Sequence, residues 1–330
     1  MKWLIDSWYK PRPIRWFLSP FSALYRLVIT LRKLCYQLGV FKQHRVPVPV
    51  IIVGNISVGG TGKTPFVIWL AQQLQQQGFK PGIISRGYGG NASNYPLDVT
   101  KDSDPAIVGD EPLLIARQTS LPMVVSPKRI EAANYLLEYH HCDIIIADDG
   151  LQHYALARNI EIVIVDAERQ FGNQFCLPAG PLREPLTRLK NVDFIVYNGK
   201  RNHSPDSFNM TLSTKSAINL SDTNINRELT EFSGQQVHAV AGIGNPQRFF
   251  NQLRTFNIDV IPHEFNDHHP YQQEDIHFSD NKTVLMTEKD AVKCQHLSSN
   301  NMWYVPIEAT MSGNLDQLII QKLAGNNPNG

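Results

Sequence analysis

Short apolar runs alternate with segments of helical periodicity along the central part of the chain. Stretches such as residues 65–77 and 127–139 have apolar positions three and four apart, which is the spacing of an amphipathic helix. Strands that alternate with helices pair in parallel, so the pattern predicts an α/β fold with a mostly parallel sheet covered by helices on both faces. The predicted strands are residues 50–53, 82–85, 123–125, 144–147, 162–165 and 194–197.

A second series of apolar runs follows a polar stretch. Residues 200–234 are rich in Asn, Ser, Thr and Asp and lack apolar periodicity, which predicts an extended linker with room for a few extended strands. The runs beyond it predict a smaller C-terminal α/β domain over residues 235–330, after a core domain over residues 47–199. The strands predicted for the smaller domain are residues 237–241, 258–261, 284–287 and 302–305.

The N-terminal segment has a different pattern. A stripe of apolar side chains spaced four and three residues apart predicts an amphipathic helix over residues 14–38, with cations on its other side. Charges interrupt its apolar runs before they reach the roughly 20 residues that span a bilayer. The segment also lacks the pattern of a secretory signal. The stripe consists of Phe17, Phe21, Leu24, Val28, Leu31, Cys35 and Leu38.

Positive charge is concentrated in the same segment. Residues 1–46 contain nine Lys or Arg and one acid, whereas the whole chain of 330 residues has a net charge of +1. A basic amphipathic helix favours contact with anionic lipid head groups, so residues 1–46 are predicted to contact a membrane. The alternative is an ordinary amphipathic helix packed on the domain behind it. The four cysteines form no CxxC pair, which indicates reduced thiols in a cytoplasmic protein.

Residues 50–65 contain the most informative motif, an apolar strand, a glycine-rich loop, Gly-Lys-Thr and a helix start. Backbone N–H groups of such a loop point at phosphates, together with the N-terminus of the helix. Lys63 would reach the β- and γ-phosphates of ATP, and the Thr64 hydroxyl would bind Mg²⁺. Ser57 stands where the strict motif has glycine. The predicted nucleotide contacts are Ser57, Gly59, Gly60, Thr61, Gly62, Lys63 and Thr64.

Two acidic clusters follow the phosphate-loop motif. Asp148 and Asp149 end a buried strand, where P-loop enzymes hold Mg²⁺, although Asp-Asp-Gly is also a common turn. Asp110 and Glu111 precede a helix, where carboxylates often only complement the helix dipole. The functional interpretation of this second cluster is a base that accepts the proton of an attacking hydroxyl, with a second metal partner.

Basic and histidine residues add further candidates. Arg183 lies in a rigid Pro- and Gly-rich loop, which favours a phosphate contact, whereas a lone arginine is usually a solvated surface charge. A metal site at His263, Asp267, His268 and His269 has little support, because adjacent histidines in a strand point apart and no cysteine accompanies them. A histidine that orients or shares a proton with a carboxylate is the better hypothesis.

The motifs taken together resemble the tetraacyldisaccharide 4′-kinase family, the lipid A 4′-kinases of Gram-negative bacteria. The resemblance covers nearly the whole chain, in order, except for residues 200–234. It is carried by the basic N-terminal helix, Gly-Gly-Thr-Gly-Lys-Thr-Pro, Ser-Arg-Gly-Tyr-Gly-Gly, Gly-Asp-Glu-Pro, Asp-Asp-Gly-Leu-Gln-His, Leu-Pro-Ala-Gly-Pro-Leu-Arg-Glu, Asp-His and Thr-Glu-Lys-Asp-Ala-Val-Lys.

The resemblance implies a fold and an activity. The fold is a P-loop NTPase-like core domain and a smaller α/β domain, joined by an extended linker, with the active site in the cleft between them. The activity is transfer of the ATP γ-phosphate, with Mg²⁺, to the 4′-hydroxyl of the lipid A disaccharide 1-phosphate. The implied location is the cytoplasmic face of the bacterial inner membrane, with membrane lipids contacted through the N-terminal helix.

The resemblance also implies roles for individual residues. Asp110 would be the base that takes the proton of the 4′-hydroxyl, with His268 as its partner across the cleft, and Lys63 would act on the phosphates. Glu111, Asp148 and Asp149 would organise Mg²⁺ together with Thr64. Arg129, Arg183, Gln152 and His153 are implied as further residues of the site.

Three other classes of protein are compatible with a phosphate loop. A guanine-nucleotide switch would carry Asn-Lys-x-Asp, which the nearest segments at 198–201 and 287–290 do not match. A partitioning-type membrane ATPase would carry a lysine where this chain has Val58, and a soluble small-molecule kinase leaves the basic helix unexplained. We expect no nucleic-acid partner and no obligate protein partner.

Overall fold

The computed structural model describes residues 2–10, 13–200 and 207–325 of the chain. The described helices α1–α10 cover Lys2–Tyr9, Ile14–Gln37, Lys63–Gln76, Pro105–Val108, Asp110–Thr119, Arg129–Tyr135, Pro246–Arg254, Gln273–Ile276, Glu288–Cys294 and Leu315–Gly325. The described strands β1–β15 cover Val50–Gly54, Pro81–Ser85, Leu97–Asp98, Met123–Val125, Ile144–Asp148, Ile160–Asp166, Phe194–Asn198, Ser207–Ser213, Ser216–Asn219, Asn226–Glu228, Gln236–Ala241, Asp259–Glu264, Val284–Thr287, Met302–Val305 and Glu308–Met311.

The larger of the two sheets formed by the described residues has nine strands in the order β15-β8-β7-β6-β1-β5-β2-β4-β3. All neighbouring strands are parallel except the two edge pairs, β15 with β8 and β3 with β4. Every residue of β1, β2, β5 and β6 is buried, because apolar clusters cover both faces of the sheet. The predicted mostly parallel α/β fold is therefore confirmed.

The smaller sheet has six strands among the described residues, in the order β10-β9-β14-β13-β11-β12. Strands β14, β13, β11 and β12 are parallel, and β9 and β10 add an antiparallel edge. Apolar clusters on both faces cover this sheet as well. Helix α9, which follows β13, packs on α5 of the larger domain, and this contact brings the two sheets together.

The predicted domain boundaries stay a prediction, and strand pairing crosses them in two places. The region predicted as a linker contains β8, which pairs in the larger sheet, and β9 and β10, which pair in the smaller one. Residues 201–206 of that region lie outside the described part of the chain. At its end the chain leaves the smaller domain, since β15 pairs with β8 and α10 packs on α3.

Helix α2 exposes its apolar stripe rather than burying it. Phe17, Phe21 and Leu24 are 75%, 62% and 59% exposed, and Val28 and Leu31 continue the exposed face. The stripe itself is therefore not packed on the domain behind the helix, and contact with a membrane stays a prediction. No helix among the described residues is both long and apolar enough to cross a membrane.

The opposite side of α2 docks through polar groups. The buried Ser22 hydroxyl donates to the carbonyl oxygen of Cys176 at 2.7 Å, and the Tyr25 hydroxyl donates to that of Arg183 at 3.1 Å. Arg32 donates to the carbonyl oxygen of Gln152 at 3.3 Å. These contacts attach α2 to two loops at the carboxyl edge of the larger sheet.

Candidate active site

The candidate site lies where the central strands of the larger sheet end. The phosphate loop follows β1, Asp148 ends β5 with Asp149 directly after it, and Asp166 and Asn198 end β6 and β7. Carboxyl ends of parallel strands meet at one edge, which is where open α/β sheets bind ligands. The side chains predicted from separate motifs are thus brought to the same edge by the topology.

Backbone geometry explains the glycines of the phosphate loop. Gly62 caps α3 at φ 91°, and a Cβ there would lie 2.4 Å from Asn198 Nδ2. Asn198 Nδ2 donates to the carbonyl oxygen of Thr61 at 3.1 Å. Gly59 is left-handed at φ 108°, and Gly60 lies beside Gly244 of the smaller domain. The loop therefore needs glycine both for its turn and for close approach of its neighbours.

A second loop supports the phosphate loop from the side. Ser57 pairs with Leu182 in an isolated bridge, and the N–H of Val58 donates to the carbonyl oxygen of Pro181 at 2.9 Å. Asn55 Nδ2 lies 3.3 Å from Thr61 Oγ1 and holds the loop from inside. Ser57 at the first position of the motif is therefore accommodated by backbone pairing.

Asp149 joins the two cations predicted to bind phosphate. Its carboxylate lies 3.4 Å from Lys63 Nζ and accepts from Arg183 Nη1 at 3.1 Å. Burial opposes ionisation of this carboxyl, but Lys63 and Arg183 lower its pKa to about 2. Asp149 is thus ionised at neutral pH and holds Lys63 and Arg183 side by side at the mouth of the phosphate loop.

Asp148 has the opposite electrostatic environment. Burial and the nearby charge of Glu111 raise its pKa to about 7. Its Oδ1 atom is buried and has no hydrogen-bond partner among the described residues, and Ser85 Oγ donates to Oδ2 at 3.4 Å. An orphaned carboxylate oxygen crowded by a second acid is a site that a cation would stabilise.

Arg129 fixes the strand end that carries both aspartates. Its guanidinium donates to the carbonyl oxygens of Asp148 at 3.2 Å and Asp149 at 2.7 Å, and the residue is 5% exposed. In this structure Arg129 therefore orients the metal-binding candidates through the backbone.

Gln152 and His153 lie behind the phosphate loop. Gln152 Nε2 donates to the carbonyl oxygen of Asn55 at 3.0 Å and to Glu184 Oε1 at 2.8 Å. Burial and the surrounding guanidinium groups lower the pKa of His153 to about 4. Gln152 was predicted as a nucleotide contact, and its amide is used here to tie the base of the loop to Glu184.

Asp110 and His268 form a hydrogen-bonded pair across the domains. Nδ1 of His268 lies 2.9 Å and 3.0 Å from the two carboxylate oxygens of Asp110, which is 4% exposed. Burial alone would raise the pKa of Asp110, yet the His268 hydrogen bond and the charge of Lys289 lower it. The same hydrogen bond raises the pKa of His268. The pair can therefore take up and share a proton.

Beside this pair lies an ion cluster that sequence reasoning missed. Lys289 Nζ is 2.7 Å from Glu111 Oε1 and 2.9 Å from Asp267 Oδ1. Burial alone would lower the pKa of Lys289, but the carboxylates of Glu111, Asp110 and Asp267 raise it. Glu111, predicted as a metal ligand, thus has one oxygen on Lys289. The motif around Lys289 was recognisable in the sequence, but nothing local indicates where its side chain points.

A cleft between the domains contains the phosphate loop and the ion cluster around Lys289. It is lined at one end by the phosphate loop and Thr64, and near the seam by Glu111, Asp267 and Lys289. Leu212, Ile243, Phe249 and Ile307 supply apolar walls suited to a flat base. Arg248 was also missed; its Nη2 donates to Asn198 Oδ1 at 3.1 Å from the opposite domain.

No group of three or more His, Cys, Asp or Glu side chains among the described residues is arranged as a metal site. The histidines considered for such a site are separated by their partners: His263 lies 2.9 Å from His238, His268 contacts Asp110, and His269 lies 3.0 Å from Asp275. Mg²⁺ in nucleotide sites is held by one or two carboxylates together with substrate phosphates and water. Thr64, Glu111, Asp148 and Asp149 are the described groups that suit that mode.

Comparison with known proteins gives a consistent result. The profile of the family described as tetraacyldisaccharide-1-P 4′-kinase matches residues 14–324. The tetraacyldisaccharide 4′-kinase of Methylobacillus flagellatus is 52% identical over 323 residues, which is 98% of this chain and 96% of that protein. The protein of the same name from Nitrosococcus oceani is 49% identical over 320 residues, 97% of this chain and 94% of its own length.

A solved structure is similar over almost its whole length. It is the "apo" form of LpxK from Aquifex aeolicus in complex with ATP. It superposes with a TM-score of 0.80 at 30% sequence identity, and the match covers 94% of this chain and 99% of that one.

Proposed function

The chain belongs to the tetraacyldisaccharide-1-P 4′-kinase family, and from that premise we propose how its residues move the γ-phosphate of ATP to the 4′-hydroxyl of a lipid A precursor. It is an ATP-dependent lipid kinase. The observation that carries the mechanism is that Glu111 and Lys289, which lie beside the Asp110–His268 pair, line the same cleft as Lys63 and Thr64.

The phosphates of ATP bind at the start of α3. The backbone N–H groups of residues 59–64 and the helix N-terminus supply hydrogen bonds and partial positive charge. Lys63 and Arg183 release Asp149 in part and contact the β- and γ-phosphates, because a phosphate is a stronger charge partner than one carboxylate. Both cations then stabilise the charge that spreads over the transferred phosphoryl group.

Mg²⁺ is the proposed cofactor, held by Thr64, Asp148, Asp149 and the free oxygen of Glu111. When bound, the ion would neutralise phosphate charge during transfer. The support is the buried Oδ1 atom of Asp148, which has no hydrogen-bond partner among the described residues and lies at a strand end beside the phosphate loop.

Asp110 is the proposed base. The 4′-hydroxyl oxygen forms a bond to the γ-phosphorus while the bond from that phosphorus to the β–γ bridging oxygen breaks, and ADP leaves. The hydroxyl proton passes to the carboxylate of Asp110, and His268 stabilises the pair through its hydrogen bond. The lowered pKa of Asp110 keeps its carboxylate ionised in the resting enzyme, which is the form that a base must have.

Contact with the cytoplasmic face of the bacterial inner membrane is the proposed setting. The exposed apolar stripe of α2 and the nine cations of residues 1–46 support it. A substrate with acyl chains stays in the bilayer, so an enzyme that lies on the surface meets it there. The absence of nucleic-acid and obligate protein partners stays a prediction.

The test is transfer of ³²P from γ-labelled ATP to purified tetraacyldisaccharide 1-phosphate in detergent micelles with Mg²⁺. We expect label on the lipid, and a rate roughly 10³–10⁵-fold lower with Lys63→Ala, which removes a cation from the transition state. Lys80→Ala, at an exposed lysine after α3, is the matched control and should keep full activity. ATP binding without any label on the lipid would refute the proposed acceptor.

A further inference from the structure

Lys289 lies in the seam between the domains, beside the Asp110–His268 pair but not in it. Its Nζ atom contacts Glu111 at 2.7 Å and Asp267 at 2.9 Å, and it lies 3.9 Å from Asp110 Oδ2. Only 15% of its side chain is exposed. One ammonium group therefore neutralises carboxylates that belong to different domains.

The two carboxylates that Lys289 joins have a particular relation to the catalytic pair. Glu111 directly follows Asp110 at the start of α5, and Asp267 directly precedes His268 in the loop after β12. Lys289 thus holds the chain neighbour of each partner. An ion pair to the neighbouring residue fixes the backbone at Asp110 and at His268. It does not use the side-chain atoms with which these two residues would react.

His268 needs such support more than Asp110 does. Asp110 is in the first turn of α5 and its Oδ1 also accepts from the N–H of Glu111 at 2.9 Å. His268, by contrast, lies outside any helix or strand and has a left-handed backbone at φ 62°. A non-glycine residue in that conformation keeps it only when its surroundings hold it there.

The base from which Lys289 extends is itself rigid. Lys289 is in the first turn of α9, whose capping residue Thr287 accepts from the N–H of Asp290 at 3.2 Å. Asp290 is fully buried, and its Oδ2 accepts from the N–H of Gly242 at 2.9 Å. The lysine is therefore anchored to the smaller sheet at one end and to α5 of the larger domain at the other.

We propose that Lys289 is a positioning residue for phosphoryl transfer: by joining Glu111 to Asp267 it fixes Asp110 against His268 for removal of the acceptor proton. This inference rests on the proposed function. Without the ammonium, Glu111 and Asp267 would face each other across the seam as like charges, and their repulsion would separate the loop of His268 from the start of α5.

The first test is steady-state kinetics of Lys289→Met with ATP and lipid acceptor each varied. We expect kcat to fall roughly 10–100-fold, the cost of a misplaced catalytic group, with the KM for ATP within about twofold of wild type. Lys289→Arg should recover most of kcat, because a guanidinium also bridges two carboxylates. Wild-type kcat in Lys289→Met would overturn the proposal, as would a loss expressed mainly in the KM for ATP, which would indicate a phosphate contact.

A double-mutant cycle separates positioning from general destabilisation. In an Asp110→Asn background there is no base to position, so adding Lys289→Met should lower kcat by less than about twofold. Additive losses would overturn the proposal. The second variant is Asp267→Asn, which removes the ion pair between Lys289 and Asp267. The Asp267 side chain is 40% exposed, so this variant should lose less kcat than Lys289→Met.

Lys282→Met is the matched control. It removes a lysine of the same domain whose Nζ pairs with Asp280 at 2.7 Å, away from the seam, and it should keep kcat within about twofold. Wild-type protein that transfers no phosphate to the lipid would mean that the proposed function fails. An active wild type with an unaffected Lys289→Met would mean that only the role of Lys289 fails.

Discussion

The phosphate loop and the Asp110–His268 pair line two neighbouring cavities, and they are assembled over very different distances in the chain. The loop is a continuous segment from Ser57 to Thr64, braced by Asn55, Asn198 and the loop at 176–184, all on the larger sheet. Asp110 and His268 are 158 residues apart and belong to different sheets.

The two assemblies correspond to two proposed steps, nucleotide binding at the phosphate loop and proton transfer at the Asp110–His268 pair. The nucleotide half is braced mainly by the larger domain, and Arg248 of the smaller domain adds one hydrogen bond to Asn198. The proton-transfer half exists only while α9 and the loop of His268 lie against α5. We expect an enzyme built this way to bind ATP with the seam open and to transfer phosphate only with the seam closed, which would limit loss of the γ-phosphate to water.

The largest effect that distinguishes the halves is expected from Asp110→Asn. The amide keeps the size and a hydrogen-bond acceptor for His268 but cannot take a proton, so kcat should fall roughly 10²–10⁴-fold. Calorimetry should show unchanged ATP affinity, because the phosphate loop is untouched. Asp102→Asn, at an exposed carboxylate before α4, is the control. Near-normal turnover in Asp110→Asn would assign the proton to another carboxylate.

The sequence predicts the phosphate-binding half of the site better than the half that contains Asp110 and His268. Lys63, Thr64, Asp148 and Asp149 were found from contiguous patterns, and the structure brings them to one sheet edge. The pairing of Asp110 with His268 came from family resemblance, since no spacing connects residues 158 positions apart. The role of Lys289 was missed because its partners are side chains of distant segments.

The fold shows a comparable limit. The six central strands were predicted because buried parallel strands are continuous apolar runs. The polar region was expected to include extended strands, but strand β8 was not located in it, although Phe208, Met210 and Leu212 alternate with polar residues as in a half-buried strand. Strand β15 returns to the larger sheet by pairing with β8. Because β8 was not located in the sequence, the position of β15 could not be predicted either.

A moderate effect is expected from Tyr25→Phe, which tests whether the nucleotide half also depends on α2. The variant removes the hydrogen bond to the carbonyl oxygen of Arg183, and its loss of about 1 kcal/mol should lower kcat/KM roughly fivefold. Co-sedimentation with anionic vesicles should be unchanged, because the exposed apolar stripe is intact. Tyr139→Phe, at a 59% exposed side chain, is the control. Unchanged turnover in Tyr25→Phe would show that phosphate binding does not depend on the hydrogen bond from Tyr25 to Arg183.

The smallest effect concerns the stability of the seam and is expected from Glu288→Gln. Gln118 of α5 donates to Glu288 of α9, and burial raises the pKa of Glu288 to about 7. The carboxyl loses its proton near its ordinary value of 4.5 in the unfolded chain but only near 7 in the folded one. Its contribution to stability is therefore complete below pH 4.5 and is lost as the pH rises through 7.

A neutral glutamine cannot lose a proton, so the variant should escape that loss. At pH 8 we expect Glu288→Gln to be about 1–2 kcal/mol more stable than wild type, a value reduced by partial exposure of the side chain. At pH 5 the two proteins should differ little. Thermal unfolding at both pH values measures this difference, and equal shifts in the two proteins would contradict the assignment. If the variant also keeps full turnover, the contact between α5 and α9 at Gln118 does not need a charged group at position 288.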